Sequence, residues 1–326
     1  MAQQTRIETV AGYYARFIDR FPSASVLAEA PLDDVLKAWE GLGYYARARN
    51  LHAAARQVIE DHDGHLPPTV AELRSLAGIG PYTAGAIASI AFGLAEPAVD
   101  GNARRVLSRL FDIEEPTRAR LDGAARSMLA AAPERPAAVN QAIMDLGGTM
   151  CTPREPNCEA CPVRGHCRAR AANTIGERPP PARRGPIPSR HAASAIIWKS
   201  GRLLLVRRPL EGLLGGLWDF PGVAPTMEAV ARDALGKRIA HAFGLRIDMG
   251  KHLGTVEHTF SHFRLTLAVY EAKWRSGEPA LESDVRWCSP EGLGAFAFPT
   301  YLRTFLTPTP TTPREHLHPS REGAGA

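Results

Sequence analysis

No run of about eighteen apolar residues occurs in the chain, so no membrane-spanning helix is predicted. The N-terminus also lacks the basic segment followed by an apolar core that marks a secretory leader, and this points to the reducing cytoplasm. Cysteine is scarce, five residues in 326; in that compartment they are expected as metal ligands or free thiols. Charge of one sign is missing as well. The formal net charge is +5, yet residues 1–175 carry 19 basic against 20 acidic side chains. Net charge therefore gives the first half no case for a nucleic-acid partner. Any such case must rest on local clusters such as Arg47, Arg49 and Arg56, or Arg104, Arg105 and Arg109, for which phosphate contact and a solvated helix face are both open readings.

What is present describes a globular protein of two domains, with 44% hydrophobic and 22% charged residues. Residues 1 to about 150 repeat apolar positions at helical spacing, broken by Pro22, Pro31, Gly41, Gly43, Gly64, Pro67 and Pro68, and read as all-α. The first helix is already periodic at Ile7, Val10, Ala11, Tyr14, Phe17, Ile18 and Phe21, and Thr5 with Glu8 reads as its capping box. ERPPPARRGPIPSR at 177–190 holds five prolines and four arginines and reads as an extended basic linker. Beyond it AASAIIWK, RLLLVRR and FRLTLAVYEAKW have strand composition, and AVARDALGKRIAHAF reads as a helix, giving an α+β domain. The expected boundaries are 1–172, a linker at 173–191, 192–306, and a Pro-, Thr- and Gly-rich tail at 307–326 that is predicted to be disordered.

The most informative stretch is LAGIGPYTAGAIASIAFGLAEPAVDGNARRV, Leu76 to Val106. Gly78 and Gly80 permit a tight turn with outward-facing N–H groups, and Pro81 suits the first turn of a helix, which together make a site for a DNA phosphate. Asp100 follows about twenty residues later, before the apparent helix GNARRVLSRL, whose first N–H groups favour a negative charge there. Asp100 is thus either a helix cap, or a carboxylate that stabilises a sugar cation when an N-glycosidic bond breaks, or both. The run resembles the helix-hairpin-helix, Gly/Pro-rich, aspartate signature of base-excision DNA glycosylases. That resemblance implies DNA contact by Gly78, Gly80 and Thr83. In lyase members the position of Tyr82 is a lysine that forms an imine; a phenol cannot, so a monofunctional glycosylase is expected, with Tyr82 touching the catalytic aspartate.

Cys151, Cys158, Cys161 and Cys167 are spaced C-x6-C-x2-C-x5-C and imply a metal site. Spacing alone leaves zinc held by four thiolates open. The resemblance, to the endonuclease III and MutY families, implies a structural [4Fe–4S] cluster in the loop at 151–167, with Arg154, Arg164, Arg168 and Arg170 near phosphates. Cys288 reads as an ordinary thiol.

GLGYYARARNLHAAA at 41–55 resembles the MutY family, adenine DNA glycosylases acting on adenine opposite 8-oxoguanine. The resemblance implies that Tyr44 wedges into the base stack, that Gln4 enters the DNA beside it, and that Asp145 lies near the adenine pocket. GLLGGLWDFPGV resembles the MutT-like (Nudix) signature, but the next segment lacks the R-E-x-x-E-E carboxylates that hold magnesium, so binding without hydrolysis is expected. Phe260, Ser261 and His262 match the family's Phe-Ser-His contact with 8-oxoguanine. The implied partner is duplex DNA with an A·8-oxoguanine or A·G mispair, bound by a cytoplasmic, nucleoid-associated monomer. MAQQTRIETV matches the family's E-x-M-x-Q-Q-T only from its methionine. The general-acid glutamate would stand two positions before Met1, and the reading frame is expected to extend upstream. Two alternatives stay open: a lesion-binding protein with little catalysis, and a glycosylase for thymine or oxidised pyrimidines.

Overall fold

The computed structural model describes all residues except 2, 4, 6, 182–184, 280–283 and 307–326. The expectations for Gln4 and for the tail at 307–326 therefore lie outside the described residues. The chain divides into two compact units, Met1–Pro186 and Ile187–Ala326.

The first unit is helical: α1 Ile7–Arg20, α2 Ala24–Glu29, α3 Leu32–Ala38, α4 Ala46–Asp61, α5 Val70–Ser75, α6 Pro81–Phe92, α7 Gly101–Leu110, α8 Arg118–Ala130, α9 Pro136–Thr149 and α10 Arg168–Ala171. Local chemistry sets many of the boundaries. Ser23, Thr69, Asp100 and Thr117 cap α2, α5, α7 and α8 by accepting from backbone N–H groups, and Gly93 closes α6 in the left-handed conformation. Leu73, Leu76, Ala84 and Ala88 form one core where α5 meets α6; Val106, Leu107, Leu121 and Ile143 form another among α7, α8 and α9. The periodic face of α1 is wider than what it buries. Val10, Phe17 and Phe21 are covered, Phe17 edge-on to Trp39, but Tyr14 and Ile18 are exposed, because α1 meets little beyond α3. The Thr5 hydroxyl is engaged by Arg47 and the Gln3 carbonyl.

The second unit is one seven-stranded mixed sheet: β1 Ser189–Lys199, β2 Arg202–Arg207, β3 Trp218–Asp219, β4 Gly222–Thr226, β5 Arg246–Thr259, β6 Arg264–Ser276 and β7 Val285–Cys288, with α11 Arg232–Phe243 and α12 Arg303–Leu306. The path runs β3-β2-β1-β6-β5, with β4 paired to β1 and β7 to β2. β1 and β6 are parallel; the other pairs are antiparallel. Ala192 to Ile197 are all buried, as suits a central strand covered on both faces. Ala192 and Ile196 face Trp218, Phe220 and Phe298, while Ala193, Ala195 and Ile197 face Leu235 and Ile239 of α11. β1 begins at Ser189, so the end of the basic 177–190 segment is strand, paired in register with Arg264 and Leu265.

Candidate active site and cysteine loop

The turn between α5 and α6 is built on Gly78. Its φ is +73°, and a Cβ there would lie 2.5 Å from the Asn50 Cβ. Gly80 differs: its backbone is extended and no atom stands within 4 Å of where a Cβ would lie, so neither strain nor crowding requires glycine. Among the described residues, the N–H groups of Gly78 and Gly80 have no acceptor, while Ala77 N donates to Gln57 and Ile79 N to the Leu76 carbonyl. Two unpaired donors at the start of α6, with Pro81 at its first position, make a place for an anion.

A cleft of about 1010 Å³ opens beside this turn, lined by Gln3, Thr5, Tyr44, Arg47, Tyr82, Thr83, Ile87, Asp100 and Asn102 among others. Asp100 caps α7, its Oδ1 accepting from Ala103 N at 2.6 Å, and Oδ2 has no hydrogen bond among the described residues. The approach to Asp100 is fixed by Asn140, 1% exposed, which accepts from Ala98 N and donates to the Glu96 carbonyl. α6 packs close to that approach, since a Cβ on Gly85 would lie 2.1 Å from the Pro97 oxygen. Tyr82 lies near Asp100 without bonding to it: its hydroxyl donates to Met144 Sδ at 3.4 Å. Burial and then the Asp100 charge push the Tyr82 phenol up from its ordinary value, which keeps it a donor. Asp145 is exposed on α9 and is not among the residues lining the cleft.

Tyr44 is half exposed and its φ is +48°, a left-handed backbone that costs a non-glycine residue roughly 1–2 kcal/mol. The neighbouring Tyr45, not Tyr44, fills the core, accepting from Gly41 N at 3.1 Å.

The basic clusters divide: Arg56 and Arg104 lie exposed on helix faces, while Arg47, Arg105 and Arg109 do something neither reading offered. Arg109 is 4% exposed and donates to the carbonyls of Ile175, Arg178, Thr152 and Pro153. Arg105 donates to the Cys151 and Gly147 carbonyls and to Asn102. Arg47 donates to backbone carbonyls on both sides of the cleft mouth, and Arg56 pairs with Glu60. Of the two clusters, three arginines are internal fasteners. Periodicity could not reveal this, because most of their acceptors are carbonyls distant in sequence.

The four cysteines surround a small cavity of about 30 Å³, lined also by Val106, Leu146 and Arg109. Arg109 Nη1 lies 3.4 Å from Cys151 Sγ, and Cys167 Sγ donates to the Arg109 carbonyl at 3.5 Å. Burial, then the charges of Cys151, Cys167 and Cys161, push the Cys158 thiol up, with Arg109 opposing. Among the described residues, no three cysteine, histidine or carboxylate side chains converge as ligands of a single ion. Arg164 and Arg170 are tied to Glu159, and Arg168 stacks on Phe111.

In the second unit β5 and β6 are joined by a tight turn closed by Phe260 N donating to the Phe263 carbonyl at 2.9 Å. Ser261 and His262 form its exposed tip, with Ser261 Oγ 3.3 Å from His262 Nδ1. Phe260 turns inward against His258 and Phe263. α11, where the pyrophosphatase carboxylates would lie, carries the single acid Asp233, which pairs with Arg232. Cys288 is buried on β7.

The comparisons agree on what these parts resemble. A model of the HhH-GPD superfamily base excision DNA repair protein matches residues 1–129, and a NUDIX domain model matches 192–307. The human adenine DNA glycosylase is 37% identical over 93% of this chain and 65% of its own length; the rat adenine DNA glycosylase is 36% identical over 93% and 69%. This chain thus spans about two thirds of these relatives. The solved structure of a thermostable thymine-DNA glycosylase is 26% identical, covering 52% of this chain and 80% of its own, with a TM-score of 0.47. At these identities and coverages, with a helix-hairpin-helix unit followed by a Nudix-like sheet, the chain belongs to the adenine DNA glycosylase family.

Proposed function

We propose that this protein removes adenine opposite 8-oxoguanine or guanine in duplex DNA and leaves the strand intact. The observation that carries the reading is the shared cleft, in which Asp100, Tyr82, Thr83 and Tyr44 meet beside an anion-accepting turn. The turn at Gly78 to Gly80 holds a phosphate, Tyr44 enters the base stack, and the extruded nucleotide occupies the cleft. Asp100 Oδ1 is fixed by Ala103 N, which leaves Oδ2 to face the sugar carbon as positive charge develops. Tyr82, a donor that cannot form an imine, gives base release without strand cleavage.

The four cysteines, which line one small cavity, are assigned to a [4Fe–4S] cluster on their spacing and the family resemblance. When bound, the cluster supplies a cross-link that braces the loop; Arg109 and Arg105 fasten the same loop to α7. In the second unit, Ser261 and His262 offer donors at an exposed tip to an oxidised purine, with Phe260 beneath.

Asp100 is the single carboxylate among the described residues lining the cleft, and expelling a neutral adenine calls for an acid as well. The same observation favours a second reading, that residues 1–326 recognise the mispair while releasing base slowly. Single-turnover excision from A·8-oxoguanine and G·T duplexes separates the two. Adenine release from the first is expected, and Asp100→Asn should slow it by about 10²-fold or more. Undiminished release by Asp100→Asn, or release of thymine in preference to adenine, overturns the proposal.

A further inference from the structure

Arg47 is the residue the proposed chemistry does not use, yet its surroundings are the most heavily built in the cleft wall. It sits in the first turn of α4, directly after Tyr44 and Tyr45. Nη1 donates to the Met1 carbonyl at 2.6 Å and to that of Gln3; Nη2 donates to Thr5 Oγ1 at 3.1 Å, the Gly43 carbonyl at 3.2 Å and the Leu42 carbonyl at 3.4 Å. The flat guanidinium lies 5.4 Å from the centre of the Trp39 ring and 5.5 Å from that of Tyr44. Trp39 donates in turn to the Gly43 carbonyl, the same oxygen that Arg47 uses. Gln3 reaches across to Thr83 Oγ1 in the first turn of α6, next to Tyr82.

Met1, Gln3 and Thr5 thus meet the turn at 41–45 on one side chain, and Gln3 carries the contact on to the start of α6. No carboxylate pairs with Arg47 among the described residues; carbonyl dipoles from two segments take that place, and its Nε is buried without a partner. A surface arginine waiting for a phosphate would not be arranged so. Its donors are already engaged by backbone, and they are engaged in a fork that fixes direction.

We propose that Arg47 is a positioning residue for mispair recognition, clamping Met1, Gln3 and Thr5 and the strained Tyr44 turn into one rigid wedge before DNA arrives. This rests on the reading of Tyr44 as the residue that enters the base stack. Holding Tyr44 in a left-handed backbone needs a neighbour that over-determines it, and the two Arg47 bonds to Leu42 and Gly43 with the ring contact supply that. Ordering the wedge in the free protein lowers the ordering required on binding, and so favours mispaired over paired DNA.

The test is a double-mutant cycle in the full chain, with Arg47→Lys, Tyr44→Ala and the pair. Binding is followed by anisotropy on labelled A·8-oxoguanine and A·T duplexes across a salt series, and unstacking by 2-aminopurine fluorescence beside the lesion. Arg47→Lys keeps the charge and loses the fork. It should reduce the preference for the mispair about tenfold and blunt the fluorescence rise, with binding to the A·T duplex and its salt slope unchanged. Added to Tyr44→Ala it should do nothing further. Unaltered discrimination by Arg47→Lys, additive effects in the double variant, or an Arg47→Met whose salt slope on A·T DNA falls by about one, as loss of a phosphate contact would give, overturns the proposal. If Tyr44→Ala itself changes neither signal, the wedge reading falls and this proposal with it; if Tyr44→Ala acts and Arg47→Lys adds to it, this proposal alone falls. Should Arg47→Lys not fold, Thr5→Val removes one acceptor without touching the core, and a smaller loss in the same direction, absent in the Tyr44→Ala background, is required.

Discussion

At the scale of the residue, Gly78 and Gly80 separate two reasons for a glycine that their shared motif conceals. Gly78 needs both its positive φ and the room that Asn50 denies to a methyl group, whereas Gly80 needs neither. Gly78→Ala is therefore expected to lower stability by about 2–4 kcal/mol, from left-handed strain and overpacking together. Gly80→Ala should stay within about 0.5 kcal/mol and yet weaken duplex binding if a phosphate approaches the turn closely. Thermal unfolding beside filter binding distinguishes them, and equal destabilisation by the two would contradict the geometry. Asp100 was readable as a cap from its place before GNARRVLSRL. That Tyr82 would bond Met144 was not, since 62 positions separate them and only packing of α6 against α9 makes them neighbours.

At the scale of the element, the cysteine loop owes its path to arginines as much as to its own sequence. Arg109 is an interior cation whose guanidinium satisfies four carbonyls drawn from both ends of the loop. Arg109→Met takes the donor from four carbonyls, which should cost at least about 3 kcal/mol. The expected signs are less iron retained per chain and faster proteolysis within 151–167; a variant with full iron and normal resistance would deny Arg109 this part. Spacing marked the four cysteines as one site, but it could not separate one ion from a larger group. In the structure all four line one small cavity. Strand β1 was likewise legible from AASAIIWK as an uninterrupted apolar run, and its parallel pairing with β6 was not, because a partner some 75 residues away leaves no mark on local pattern.

At the scale of the whole molecule, base release and contact with the oxidised purine are assigned to separate units, so they should fail separately. Ser261→Ala with His262→Ala alters only an exposed hairpin tip. It is expected to leave adenine release from A·G duplexes and the melting temperature unchanged, while reducing the preference for A·8-oxoguanine about tenfold. Parallel loss on both substrates would show that the tip serves the fold and not the lesion. The sequence by itself determined the order of helices and strands, the grouping of the cysteines, the hairpin with its aspartate and the family, because these rest on spacings within about thirty residues that local backbone preferences and short motifs express. Only the tertiary structure decided which arginines were fasteners, that Tyr44 takes a left-handed backbone, and that Asp145 does not line the cleft. Those outcomes depend on which distant carbonyl, ring or methyl group packing brings within reach of a side chain, and burial turns a surface charge into an internal clamp only once that packing exists.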